Sequence, residues 1–188
     1  VASGLATAAQ VKRAAFISFG FASIAGLWLS LLTSPWLILI GIAAIAAAWG
    51  YTGGKHPYGY SGWGEVSVFV FFGLIATVGT YYTQTGEITA LSILCAIPMG
   101  SLSCAILAVN NIRDRAQDEL VGKRTLAVRL GDAKARKGFV VLLVIAHLSA
   151  LATFVPWSIL TLAVLPLTIS ISRAVMSGAS GAELIPLL

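Results

Sequence analysis

The chain has 188 residues, 58% of them hydrophobic and only 10% charged, with a net charge of +5. A mean hydropathy of +0.92 excludes an ordinary soluble domain, in which roughly 25% of residues are charged, and points to an integral membrane protein. The basic excess is no nucleic-acid footprint, because the bases lie between apolar runs, where membrane topology accounts for them.

Six apolar segments follow one another. The first runs from about Ala14 to Leu32, led in by "TAAQVKRAAF" with Thr7 as a helix cap. The second, about Trp36 to Trp49, is short for a span of about 20 residues. The glycine-rich loop "YTGGKHPYGYSGWGE", residues 51–65, separates it from the third, about Val66 to Tyr82. The fourth is about Thr89 to Val109 and contains Pro98, which predicts a kink. A charged stretch follows, then a fifth segment from about Phe139 to Phe154 and a sixth from about Trp157 to Ile171. The expected fold is all-α, a polytopic transmembrane helix bundle.

Lysine and arginine fall on alternate connections. Lys12 and Arg13 precede the first segment, Lys55 lies between the second and third, eight bases lie between the fourth and fifth, and Arg173 follows the sixth. All twelve therefore share one side, which the positive-inside rule assigns to the cytoplasm. Cys95 and Cys104, nine residues apart on one segment, point to roughly opposite helix faces and suit small buried apolar positions rather than a disulfide. His56 and His147 are isolated and read as structural.

The polar residues concentrate in "NNIRDRAQDELVGKRTLAVRLG", residues 110–131, where eight of 22 are charged. Asn110, Asp114 and Asp118 are spaced i, i+4, i+8, which places them on one helix ridge roughly 12 Å long. Carboxylate and amide oxygens are hard ligands that suit Mg²⁺, which takes one or two carboxylates plus substrate phosphates. Arg113, Arg115, Lys123 and Arg124 add donors for phosphate oxygens, so the mixture points to a Mg²⁺-bound diphosphate. The plain alternative is a solvated loop with ion pairs along a helix surface, since a D-x-x-x-D pair is common. Tyr51 and Lys55 stand four apart on the glycine-rich loop, and Lys55 is either a phosphate partner or a topology-setting charge. Glu65 suits the start of the third segment, where a negative charge is favourable.

At these residues the chain resembles the UbiA superfamily of membrane prenyltransferases. "NNIRDRAQDELVGKRTLAVRLG" is similar to the second aspartate-rich motif, "YTGGKHPYGYSGWGE" to the loop carrying a Tyr-x-x-x-Lys element, and "VASGLATAAQVKRAA" to the lead into the third helix. The nearer resemblance is to the branch that prenylates 1,4-dihydroxy-2-naphthoate in menaquinone synthesis. It implies a nine-helix ring in the lipid bilayer, two aspartate-rich motifs on cytoplasmic loops, Mg²⁺, a polyprenyl diphosphate donor, and loss of CO₂ and diphosphate. Carried over by position, Asp114 and Asp118 become Mg²⁺ ligands assisted by Asn110. Asn111 supports that shell, Arg113, Lys123 and Arg124 contact the diphosphate, and Tyr51 and Lys55 are active-site loop residues.

One departure is large. The only aspartates are Asp114, Asp118 and Asp132, so the first motif is missing. The six segments match family helices three to eight, and residues 1–188 read as part of one UbiA-type domain. Val1 at the start and the apolar "ELIPLL" at the end make a fragment of a larger enzyme the expectation, inactive by itself. Other readings are a related enzyme with a different aromatic acceptor, or an ion-coupled transporter, since acids near spans often mark ion pathways.

Overall fold

The computed structural model describes residues 5–187, and among them every regular element is a helix. Seven are labelled here: α1 (Ala8–Thr33), α2 (Leu37–Thr52), α3 (Gly64–Thr85), α4 (Ala90–Leu120), α5 (Leu126–Leu130), α6 (Asp132–Leu151) and α7 (Pro156–Met176). Helices are the answer that lipid imposes on a single apolar segment, because each closes its backbone hydrogen bonds within itself. The protein is a polytopic membrane protein.

Four helices, α1, α3, α4 and α7, are long and apolar enough to cross a bilayer, against the six spans expected. The other two expected segments coincide with α2 and α6. With 16 residues, α2 reaches only about 24 Å, short of the roughly 30 Å hydrocarbon core. The first turns of α6 carry Asp132, Lys134, Arg136 and Lys137, so only its later part is apolar. The six-span count is thus not reproduced by length and composition.

The chain divides into two compact units, Val1–Trp49 and Gly50–Leu188. In the first, Thr7 caps α1 through a capping box with Gln10, as "TAAQ" suggests. Nearly all of α1 is exposed apolar surface, with Ser30 its one buried residue and Phe21, Ile24, Trp28 and Leu31 all outward. Such a face is stable only against lipid or further protein.

In the second unit α4 is the central element, packed along α6 on one side and α3 on the other. Ala105, Val109 and Ile112 of α4 meet Ala135 and Phe139 of α6 in its core. On the α3 side two glycines set the spacing. A Cβ on Gly73 would lie 2.6 Å from the Gly100 Cα, and one on Gly100 would lie 2.7 Å from the Phe69 ring. Small residues at a crossing let membrane helices approach closely. Around Gly73, residues Phe69–Ile75 widen into π-helix, a local adjustment that admits an extra residue. Pro98 lies inside α4, yet the helix continues unbroken from Ala90 to Leu120.

Candidate functional site

Because α4 runs on past its apolar part, its last turns carry Asn110, Asp114 and Asp118 out of the span as one continuous ridge. The chain then turns back. Gly122 adopts φ 77°, and the Lys123 amide donates to the Asp118 carbonyl at 2.8 Å while the Gly122 amide donates to that of Glu119 at 3.1 Å. This is a Schellman ending, which requires a left-handed residue and so favours glycine. Its consequence is positional: Lys123 folds onto the ridge, its Nζ 3.0 Å from Asp118 Oδ1.

Each aspartate of the ridge is paired with a base. Arg113 grips Asp114 with two parallel bonds, Nε to Oδ1 and Nη2 to Oδ2, each 2.7 Å. The hydrogen bond from the guanidinium holds the Asp114 carboxyl below the usual aspartate range, against the opposing effect of burial and with smaller help from the charges of Arg113 and Lys123. Lys123 is held above the usual lysine range by its bond to Asp118. Asp114 is half-exposed, whereas the Asp118 side chain is only 8% accessible, so Asp118 depends more on its partner.

The glycine-rich loop closes over this ridge from the side. Lys123 Nζ lies 4.8 Å from the Tyr60 ring centroid, a cation–π distance, and the Arg124 amide donates to the Tyr60 carbonyl at 2.8 Å. Gly62, at φ 78°, leaves room for the Arg129 side chain, which in turn donates to the Arg124 carbonyl at 3.1 Å. Tyr51 meets Tyr58 edge-on at 5.5 Å, and the Tyr58 hydroxyl pairs with Ser67 at 2.9 Å. A Cβ on Gly64 would sit 3.1 Å from the Tyr51 hydroxyl and one on Gly59 2.9 Å from its ring, so these two glycines leave the room that Tyr51 occupies.

Asn111 leaves the ridge and donates from Nδ2 to Glu65 Oε1 at 2.9 Å. Lys55 stays exposed, and among the described residues no ion pair joins it to the ridge. Arg124 is likewise exposed and contributes its backbone. Tyr60 and Glu65 are the residues that sequence reasoning passed over as parts of the site. Glu65 does stand in the first turn of α3, as a helix-start acid should, but its carboxylate turns toward α4. Nearby, Asp132 bridges Arg136 at 2.7 Å and Arg115 at 3.8 Å, tying the start of α6 to the charged end of α4.

Below the polar layer an apolar cavity of about 420 Å³ opens between α3, α4, α5 and α6, lined by Phe69, Cys104, Ala108, Phe139 and Leu142 with Glu65 at its polar edge. Among the described residues no three His, Cys, Asp or Glu side chains cluster tightly enough to hold a metal ion by themselves.

The described residues thus form a helical membrane protein with an acid–base ridge above an apolar cavity. The UbiA prenyltransferase family matches residues 1–181, and the chain belongs to that family. It is 46% identical over 193 residues to the 1,4-dihydroxy-2-naphthoate octaprenyltransferase of Mycobacterium tuberculosis, covering 100% of this chain and 65% of that protein. The enzyme of the same name from Escherichia coli is 35% identical, with 98% of this chain and 64% of the relative covered. Human UbiA prenyltransferase domain-containing protein 1 is 32% identical over 155 residues, 81% of this chain and 46% of that one. The chain thus spans about 65% of the length of its mycobacterial relative. No solved structure matches it significantly.

Proposed function

We propose that the protein, as its gene encodes it, transfers a polyprenyl group from polyprenyl diphosphate to 1,4-dihydroxy-2-naphthoate, releasing diphosphate and CO₂ and giving demethylmenaquinol. The observation that carries this is the paired ridge of Arg113–Asp114 and Asp118–Lys123 above an apolar cavity, in a chain covered end to end by a relative that bears that activity in its name.

The donor set fits Mg²⁺. Asp114 and Asp118 are hard oxygen ligands one helical turn apart, with Asn110 one turn before them. Two carboxylates without a third acid suit an ion that completes its shell with phosphate oxygens and water. When bound, Mg²⁺ supplies positive charge against the diphosphate oxygens. Arg113, Lys123 and Arg124 donate to the same oxygens, and their charge favours departure of diphosphate with the electron pair of the broken C–O bond. Lys55, free of an ion pair among the described residues, adds a point charge from the loop, and Tyr51 borders the reacting centre. The apolar cavity keeps water from the allylic cation-like carbon. The electron-rich ring then forms the new C–C bond, and its carboxyl carbon leaves as CO₂, restoring aromaticity. The basic side of the membrane, and with it this site, faces the cytoplasm.

The test is prenyl transfer by plasma membranes carrying the protein as encoded. Expected is a prenylated naphthoquinol, with diphosphate release abolished by EDTA and restored by Mg²⁺. Transfer to hydroxybenzoate but not to dihydroxynaphthoate would reassign the acceptor. Absence of Mg²⁺-dependent diphosphate release with either acceptor would overturn prenyl transfer and favour ion-coupled transport through Asp114 and Asp118.

A further inference from the structure

Lys123 is held from two sides by partners of different kinds. Its Nζ lies 3.0 Å from Asp118 Oδ1 and 4.8 Å from the centroid of the Tyr60 ring. The carboxylate binds it through charge, the ring through the negative face of its π-system. The ring is itself firmly placed. Pro57 opens the tight turn Tyr58–Ser61, and the Tyr60 amide donates to the Pro57 carbonyl at 3.1 Å. Gly59 is buried against Tyr51, where a Cβ would come within 2.6 Å of the Tyr51 carbonyl oxygen. The Tyr60 carbonyl accepts from the Arg124 amide at 2.8 Å, so the main chain of the loop is pinned to the turn that carries Lys123.

The two partners differ in what they leave free. A lysine ammonium carries its N–H donors on a flexible four-carbon stem. Asp118 engages one donor and neutralises the charge. The proposed reaction gives Asp118 to Mg²⁺, and a carboxylate bound to one cation attracts a second less strongly. Lys123 would then swing on its stem unless something else held it. The Tyr60 ring attracts the ammonium without neutralising it, and leaves the donors on the far side for an anion.

We propose that Tyr60 is a positioning residue of the diphosphate site: its ring holds the Lys123 ammonium over the ridge, so that Lys123 meets the diphosphate oxygens while Asp118 serves the metal. This deepens the proposed function and rests on it for the identity of the anion. Tyr60 acts through Lys123, and the face of its ring does the holding, not its hydroxyl. Two consequences set it apart from a packing residue. Phenylalanine can replace it, and its effect vanishes once the Lys123 charge is gone. The bond between Arg124 and Tyr60 joins main-chain atoms, so a substitution at Tyr60 removes the ring and leaves both groups of that bond in place.

The test is calorimetric titration of the protein as encoded, in lipid nanodiscs with Mg²⁺, using inorganic diphosphate as the probe. Loss of one cation–π contact predicts roughly three- to tenfold weaker binding in Tyr60→Leu. Tyr60→Phe keeps the ring face and should bind within about twofold of the unaltered protein. In a Lys123→Gln background, Tyr60→Leu should weaken binding no further, the signature of two residues acting as a unit. The stoichiometry of each titration reports the folded fraction separately from the affinity, so partial misfolding of a variant does not obscure the result. Unchanged affinity in Tyr60→Leu, a loss as large in Tyr60→Phe, or an equal loss with and without Lys123 overturns the assignment and leaves the proposed reaction standing. Coupled losses at Tyr60 and Lys123, without prenyl transfer when donor and dihydroxynaphthoate are added, uphold the positioning and overturn the reaction. Absence of Mg²⁺-dependent diphosphate binding by the unaltered protein overturns both.

Discussion

Replacing Asp118 by asparagine separates a structural ion pair from a substrate-binding one. At 3.0 Å from Lys123, the attraction is about 5–6 kcal/mol at an effective dielectric of ~20, before desolvation is subtracted. Asp118 is nearly buried while Lys123 is one-third accessible, so the net loss falls between an exposed pair at about 0.2–1 kcal/mol and a broken buried pair at about 3–5 kcal/mol. We expect about 1–2 kcal/mol, or a fall of roughly 2–8 °C in Tm at ~2–4 °C per kcal/mol. Turnover should fall further, by about 100-fold or ~2.7 kcal/mol of barrier, as for other lost electrostatic contacts to a developing charge. The double variant Asp118→Asn/Lys123→Gln removes both charges and should regain most of the lost stability. Its turnover should stay as low as that of Asp118→Asn, because both groups serve the diphosphate. Thermal melts in detergent and initial rates in membranes read the two effects apart. If turnover returns together with stability in the double variant, Asp118 serves only to neutralise Lys123 and its metal role is wrong.

Three further outcomes are expected. Arg113 lowers the Asp114 carboxyl, so the stability from this pair is present above the ordinary aspartate value of about 3.9 and is lost as pH falls through the lower folded value. Arg113→Met should therefore move the acid limb of the rate profile to higher pH, and an unmoved limb would dissociate Asp114 from it. Gly73→Ala puts a Cβ 2.6 Å from Gly100 Cα and should destabilise by about 1–3 kcal/mol, whereas Gly79→Ala, with nothing within 4 Å, should hold or slightly raise the melting temperature, since alanine is the better helix former. Lys55→Ala should raise KM for the prenyl diphosphate roughly three- to tenfold with no loss of thermal stability, since Lys55 is exposed. A fall in Tm with unaltered KM would make it a structural charge instead.

Much of the fold was legible because lipid leaves few choices: an apolar run closes its own hydrogen bonds as a helix. Thr7 capped its helix as read, and the 110–120 ridge continued its span without a break. Boundaries were less legible where charge and apolar character overlap, as at α6, whose Lys134, Arg136 and Lys137 occupy its first turns. The π-widened turn around Gly73 left no periodic signal, since one extra residue per turn disturbs a hydrophobic pattern only locally.

By itself the sequence determined the class of protein and the i, i+4, i+8 ridge, because hydropathy and helical pitch are properties of short stretches of chain. Only tertiary structure decided which base meets which acid. Lys123 reaches Asp118 through the left-handed turn at Gly122, Arg113 turns to its neighbour Asp114, and Lys55 stays out. It also took the packing of α3 against α4 to bring Glu65 and Asn111 together across 46 positions of sequence. Such a contact depends on where two helices cross, and no local pattern in either helix encodes that crossing.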